Sequence, residues 1–388
     1  MPTTITITRR GADRVRARHC WIYRSDLAGQ SSAEPGEVVR VIDAHGRALG
    51  SALYSSNSQI ALRMVSFDDA EISRDFWLSR LDSAKRLRDQ IVHDATAFRL
   101  VYSESDLLPS LIIDRYNDCF VIQTLSQGMD ALKQMWIELL VEQYHPSCII
   151  ERNEARVRDL EGLPRVTQVV YGTDPGEIVI EEAGVRMAVN LVEGQKTGAF
   201  LDQRENRIAA RSYARGRALD AFTYQGAFAL HLARGAEQVI AVDASAPAIA
   251  AARSNGELNG ADNIEFIEAN VFDLLREMEQ EGERFDVINL DPPAFAKNRG
   301  SIEGAIRGYK EINLRALKLL NPGGFLITCS CSYHVNEAMF AEVIFDAALD
   351  ARTDVSVVEK RMQSRDHPVV LGMPETYYLK CFILRKLA

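Results

Sequence analysis

Pro292 and Pro293 stand side by side after the apolar run Val287-Ile288-Asn289-Leu290, with Asp291 between. Neither proline can donate to a sheet ladder, so a strand that reaches Leu290 must stop there. A short apolar run bounded by turn residues reads as a buried strand of a parallel sheet. Asp291 then falls at the strand's carboxyl end, the edge where ligands bind in open α/β sheets.

The sequence on either side repeats this plan. A strand over 217–222 runs into Thr223-Tyr224-Gln225-Gly226 and a helix over 229–234. A second strand, 238–242, ends at Asp243, and a helix follows over 246–258. A third, 264–270, precedes a helix over 271–279. This alternation describes a doubly wound, mostly parallel sheet. A helix over 309–320 leads to Gly323-Gly324-Phe325-Leu326-Ile327-Thr328-Cys329-Ser330-Cys331-Ser332, which should be the next parallel strand. Alternation puts Cys329 and Cys331 on one face, and strands ~4.8 Å apart would bring Cys331 to Asp291.

Which cofactor suits these strand ends? A dinucleotide site normally carries G-x-G-x-x-G so that backbone can close on a pyrophosphate. Here only Gly226 lies in the first turn. Asp243 nonetheless follows Asp220 by about 20 residues, the spacing at which an acid binds ribose hydroxyls. Ribose recognition without a pyrophosphate cradle suits S-adenosylmethionine. Asp220 and Gly226 would line its methionine end, Asp243 its ribose, and Asn270 and Val271 its adenine, and Phe222, Tyr224, Ala244, Ser245 and Asp291 are further cofactor candidates. Upstream, a strand over 185–191 leads to Gly194-Gln195-Lys196-Thr197-Gly198-Ala199-Phe200-Leu201-Asp202-Gln203-Arg204, which opens a helix to about residue 214. Such a loop presents free N–H groups to an anion such as a cofactor carboxylate. Lys196, Thr197, Gly198, Phe200, Gln203 and Arg204 are its candidates.

The amino-terminal segment differs. Arg9, Arg10, Arg14, Arg16 and Arg18 face one nearby acid, Asp13, and His19, Trp21 and Tyr23 follow. Interleaved cations and aromatic rings suit a nucleic-acid surface. Since the whole chain carries a net charge of −9, any such binding must be local. Short runs at 36–43, 48–54 and 60–65 with Gly-marked turns suggest a small barrel, and the pattern resembles a PUA domain. From 71 to 180 the order strand, strand, strand, helix, strand suggests an α+β domain, with Arg152, Arg156 and Arg158 as phosphate candidates.

No apolar run approaches the ~20 residues that span a bilayer. The amino terminus lacks an apolar signal region. Six cysteines without a CxxC pair suggest a reducing cytoplasm rather than a disulfide framework. No Cys/His cluster accompanies Cys329 and Cys331, so no metal is expected.

Lys196-Thr197-Gly198, Leu201-Asp202-Gln203-Arg204, Asp291-Pro292-Pro293-x-Phe295, Ser330-Cys331-Ser332 and Asp366-His367-Pro368 together resemble the PUA-containing 23S rRNA (cytosine-C5) methyltransferases over nearly the full length. That resemblance implies a PUA domain at 1–70, a central α+β domain at 71–180 and a Rossmann-like S-adenosylmethionine-dependent domain at 181–388. It implies 23S rRNA as partner and Cys331 as a nucleophile adding to cytosine C6, with Asp291 on the base. Arg9, Arg10, Arg14, Arg18, Trp21, Arg152 and Arg156 are the RNA-binding candidates. His334, His367 and Cys329 are candidates for removing the C5 proton. The chain departs from the family at 103–110, which lacks expected glycines, and at Cys329, where a non-cysteine is usual. An Asp-Pro-Pro-x-Phe motif also serves base N-methyltransferases acting on guanine without a covalent step, and a non-catalytic RNA-binding factor is a further alternative. A nicotinamide oxidoreductase is disfavoured by the missing glycines. A homodimer is compatible with the sequence, which has no feature that sets the oligomeric state.

Overall fold

The computed structural model describes residues 2–29, 31–194, 197–296 and 299–387. The chain forms two compact units. The first comprises Met1–Ile180, Val189–Leu201 and Arg365–Thr376, and the second Glu181–Ala188, Asp202–Ser364 and Tyr377–Ala388.

In the first unit, β1 (Thr4–Thr6), α1 (Arg9–Arg16), β2 (Trp21–Tyr23), β3 (Val38–Ile42), β4 (Ala48–Tyr54) and β5 (Ile60–Ser66) build a five-stranded sheet of order β1-β3-β4-β5-β2. Thr8 starts α1 by accepting a hydrogen bond from the Gly11 N–H at 3.3 Å. Val15 of the helix packs on Ile22, Val39, Val41 and Met64 of the sheet. Next come α2 (Arg74–Ile91), β6 (Ala97–Tyr102), β7 (Leu111–Tyr116), β8 (Cys119–Thr124), α3 (Gln127–Ala131), α4 (Lys133–Tyr144), β9 (Cys148–Asn153), α5 (Val157–Glu161) and β10 (Val166–Gly172). Their sheet has the order β10-β9-β8-β7-β6. The β8–β9 pair is parallel because α3 and α4 carry the chain back between them, and the other pairs are antiparallel. Trp77 of α2 and Trp136 of α4 meet edge to face in this core, with centroids 5.8 Å apart.

The turn after β6 explains the missing glycines. Ser103, Leu107 and Ser110 all have left-handed backbone, at φ 46°, 55° and 68°, a region that favours glycine. The Ser103 hydroxyl helps to hold the turn by accepting the Ser110 N–H at 2.7 Å.

β11 (Glu177–Glu182) and β12 (Val185–Asn190) pair as the chain passes between units. The second unit follows with α6 (Arg204–Arg211), β13 (Arg217–Ala221), α7 (Ala227–Ala233), β14 (Gln238–Asp243), α8 (Ala246–Asn259), β15 (Ile264–Glu268), α9 (Val271–Glu281), β16 (Phe285–Leu290), α10 (Ile302–Leu319), β17 (Leu320–Ser330), α11 (Glu337–Asp350), β18 (Val355–Met362) and β19 (Lys380–Lys386). The seven-stranded sheet has the order β15-β14-β13-β16-β17-β19-β18. Strands β13 to β17 are mutually parallel, and β19 runs antiparallel between β17 and β18. The winding direction reverses between β13 and β16, which makes that crevice the ligand-binding position of the sheet. The doubly wound α/β reading of the sequence therefore describes this unit.

Candidate active site

The β13 and β16 ends define the crevice of the second unit. Asp220 on β13 is fully buried. One carboxylate oxygen accepts from the Thr223 hydroxyl at 2.6 Å and the Ala229 N–H at 2.8 Å, and the other from the Asn289 side-chain amide at 2.7 Å. Burial pushes its carboxyl up to about 6. Asp220 is thus a brace beneath the 222–226 turn rather than a group presented to a ligand, which corrects the expectation that it lines the cofactor. Phe222, Tyr224 and Gly226 all have positive φ, at 65°, 50° and 83°. Three left-handed residues in five fold the turn tightly over Asp220, and the Gly226 amide closes it on the Thr223 carbonyl at 2.9 Å.

Asp243, half-buried at the end of β14, accepts the Tyr224 N–H and the Ser245 N–H, each at 2.9 Å. Ala244 and Ser245 are exposed beyond it, and Ser245 caps α8. At the end of β15, exposed Asn270 caps α9 through its own side chain, and Val271 is buried behind it. A carboxylate, an apolar floor and a single-glycine turn along one sheet edge fit a nucleoside with no pyrophosphate. S-adenosylmethionine is a nucleoside of that kind, and these residues fit it.

Asp291 follows β16 and is half-buried. Gln203 donates to its carboxylate at 2.7 Å and accepts from Asn206 at 2.7 Å. Asp202 accepts the Tyr378 hydroxyl at 2.6 Å, and its carbonyl accepts the Ser364 N–H at 2.8 Å. Gln203 therefore braces the Asp-Pro-Pro turn, and buried Arg204 lies beside Glu205. Phe295 packs with Phe272, Phe222 and Tyr309 at centroid distances of 6.0, 6.5 and 4.7 Å. A cavity of about 500 Å³ opens between Phe272, Phe295 and the start of α10.

β17 ends at Ser330, so Cys331 leaves the strand rather than continuing its alternation. Its Sγ reaches the Pro292 carbonyl at 3.9 Å, next to Asp291. Ser332 is buried and ties this end down: its hydroxyl accepts the Ala296 N–H at 3.1 Å and lies 2.9 Å from the Tyr309 hydroxyl. Cys329 is fully buried in the core with its cross-strand neighbour Cys381. Burial and that contact hold its thiol well above the ordinary value, which removes it as a proton acceptor.

The sequence reading passed over Lys380. It opens β19 opposite Ser330 and is one of the largest fully buried side chains. Its ammonium donates to the Ser332 carbonyl at 2.7 Å and the Tyr378 carbonyl at 2.9 Å. The signal was there: a lysine inside the apolar run Leu379-Lys380-Cys381-Phe382-Ile383-Leu384.

The other candidates belong to the first unit. Thr197 is buried, and its hydroxyl donates to Asp114 at 2.6 Å and lies 3.1 Å from the Tyr116 hydroxyl. Tyr116 also accepts the Ala199 N–H at 3.2 Å. Gly198 has φ 135°, and a Cβ there would stand 2.8 Å from Leu191. Phe200 is half-buried, and Lys196 lies outside the described residues. Asp114 is itself gripped by Arg99 at 2.8 and 2.9 Å, and the Arg99 N–H donates to Asp366 at 2.9 Å. Asp366 pairs with His367 at 3.0 Å.

The arginines divide. Arg9, Arg10, Arg18 and Arg156 are exposed, and Arg18 lies over Phe67 at 5.0 Å. Folding brings Arg10 and Arg14 to buried Asp26, each at 2.6 Å, and Arg16 to Asp43 at 2.6 Å, so Asp13 is not the sole acid. Trp21 donates its ring N–H to Glu104 at 2.9 Å. Arg152 corrects the sequence reading. It is 3% exposed, and its guanidinium holds the carbonyls of Leu191 and Gly194 at 3.1 and 2.7 Å and the Glu154 carboxylate at 2.7 Å. Arg158 is likewise buried, against Asp130 and the Thr124 carbonyl. Neither is a surface phosphate contact.

Comparison with known proteins agrees with this geometry. A PUA-like domain model matches residues 5–67, and an S-adenosylmethionine-dependent methyltransferase model matches 167–372. Ribosomal RNA large subunit methyltransferase I of Vibrio cholerae is 41% identical over 97% of this chain and 98% of its own. The protein of that name from Photobacterium profundum is 42% identical over 98% and 99%. The crystal structure of SMU.776, complexed with SAH, superposes with a TM-score of 0.85 at 20% identity, covering 99% of this chain and 100% of that one.

Proposed function

The chain belongs to the S-adenosylmethionine-dependent ribosomal RNA large subunit methyltransferase I family, and from that premise we propose that it methylates C5 of a cytosine in 23S rRNA, with Cys331 as nucleophile. The observation that carries this reading is the position of Cys331, with its Sγ 3.9 Å from the Pro292 carbonyl beside Asp291. Cytosine C5 is a poor nucleophile. Addition of the Cys331 thiolate to C6 makes C5 enamine-like and able to accept a methyl group. S-adenosylmethionine supplies that methyl as an electrophile. Loss of the C5 proton to a base then restores the double bond and expels the thiolate. Asp291, fixed by Gln203, hydrogen-bonds the base at its N3/N4 edge and holds it over the sulfur. Asp243 and Asn270 would hold the ribose and adenine of the cofactor. The target base must leave its stack or come from an unpaired region to reach this edge.

Labelled S-adenosylmethionine and unmodified 23S rRNA test the reading. After nucleoside digestion, label is expected in 5-methylcytidine. Label in a methylguanosine would replace it with an N-methyltransferase. Cys331→Ala should abolish turnover and keep cofactor binding by calorimetry, whereas an active variant rules out the covalent route.

A further inference from the structure

We propose that Lys380 is the positioning cation that makes Cys331 a thiolate, an inference that rests on the nucleophilic reading of Cys331. A lysine is almost never fully buried without a counter-charge. Among the described residues, Lys380 makes no ion pair with a carboxylate, and its two hydrogen-bond partners are main-chain carbonyls. One of those belongs to Ser332, the residue after Cys331, so the ammonium is pinned to the peptide that carries the nucleophile. Its backbone is fixed as well, because Lys380 pairs with Ser330, the residue before Cys331. The three-residue segment is therefore gripped by one side chain and its own strand.

The electrostatics point the same way. Burial pulls the Lys380 ammonium down to about 8, and the Cys331 sulfur is the group that holds it up. A cation stabilised by a sulfur anion stabilises that anion equally, because the coupling is reciprocal. Among the described residues, Tyr309 and Asp291 also act on this corner. Tyr309, from α10, is also coupled to Cys331, and its phenol is held up by burial. Asp291, after β16, acts on the neighbouring Cys329. Neither can favour a thiolate, since one is neutral and the other negative. Among the described residues, Lys380 is a cation that the fold fixes on this segment, through the Ser332 carbonyl and the pairing with Ser330.

No proton passes through Lys380 in this scheme. It remains an ammonium while the thiolate adds to C6, while C5 takes the methyl, and while the thiolate is expelled. Its effect is to raise the fraction of Cys331 that is thiolate at neutral pH and to improve it as a leaving group. Losing the cation should raise the thiol pKa by about one unit or more, which is a tenfold loss of thiolate below that pKa.

The experiment is the pH dependence of iodoacetamide alkylation of Cys331 in the full chain, followed by peptide mass spectrometry. Cys20, Cys119, Cys148, Cys329 and Cys381 are buried and serve as internal controls. The wild type should show a midpoint below the ~8.5 of a free thiol. Lys380→Met should move it up by about one unit and cut the rate at pH 7 about tenfold, and Lys380→Arg should restore much of the difference. An unchanged midpoint in a Lys380→Met protein that still binds S-adenosylmethionine overturns the proposal. If that variant does not fold, the wild type alone decides: a midpoint at or above the free-thiol value overturns it. Alkylation reports the ionisation of Cys331 whether or not it attacks RNA. An active Cys331→Ala enzyme would therefore remove the covalent mechanism without touching this result.

Discussion

Gly226 shows how little freedom the turn after β13 has. At φ 83°, a side chain is strained, and a Cβ would stand 3.2 Å from that of Ala252. Gly226→Ala should cost about 1–2 kcal/mol locally, read as roughly a tenfold loss in S-adenosylmethionine affinity by calorimetry. Gln203→Leu removes the amide that donates to the Asp291 carboxylate at 2.7 Å. A hydrogen bond to a charged group is worth about 1.5–3 kcal/mol, so kcat should fall about tenfold or more while cofactor affinity holds. Arg152→Met takes the guanidinium away from the Leu191 and Gly194 carbonyls. It should lower the melting temperature through a loss of about 2–4 kcal/mol without changing the salt dependence of RNA binding. At this scale the sequence was legible where a residue ends a strand, as at Asp243 and Asp291. It was not legible for Arg152 or Asp220, because a charged letter carries no mark of burial. The partners of Asp220 stand on three different segments, and those of Arg152 are largely distant main-chain carbonyls.

Among the elements, the turn between β6 and β7 and the hairpin strand β11 each carry a testable load. Ser110 is left-handed and buried, and its hydroxyl has no partner among the described residues. Ser110→Gly should stabilise the protein by about 1 kcal/mol, seen as a higher melting temperature at unchanged activity. On β11, Glu182 faces Arg207 of α6 at 2.5 Å and His231 of α7 at 3.0 Å, all buried. Burial opposes its ionisation, but the guanidinium and imidazole win and hold its carboxyl down to about 2. A depressed carboxyl contributes stability that is complete above its unfolded value near 4.5 and is lost as pH falls toward 2. Burial also lowers His231, so the unfolded chain gains a further proton below about 6.5. The melting temperature should therefore drop between pH 6.5 and 3. Glu182→Gln should flatten the lower part of that limb and lower stability at pH 7 by on the order of 3 kcal/mol. Periodicity revealed the strands and helices around 217–332, because apolar runs and strand-end turns are local signals. It missed β10 and β11, which are half-exposed, and it could not place Lys380, whose position depends on β19 inserting beside β17.

For the whole molecule, a net charge of −9 makes RNA binding depend on where the cations remain exposed. With Arg152 and Arg158 buried, Arg9, Arg10, Arg18 and Arg156 are the exposed candidates, and we propose that they carry that load. Arg9→Ala and Arg18→Ala should each weaken binding across sequences and reduce the slope of log affinity against log salt by roughly one. Filter binding from low to moderate salt measures this.

The first unit is closed by residues from the far end of the chain. Arg88 is fully buried, and besides Asp106 it grips the carbonyl of Asp366 at 2.7 Å, while the Arg99 N–H waits for the Asp366 carboxylate. Protein synthesis runs from the amino terminus, so these bonds cannot form until residue 366 has left the ribosome. The first unit is begun first, yet it is completed only once 365–376 have emerged. A ribosome-stalled chain ending before residue 365 should leave 1–180 sensitive to protease, and release of the last few dozen residues should protect both units together.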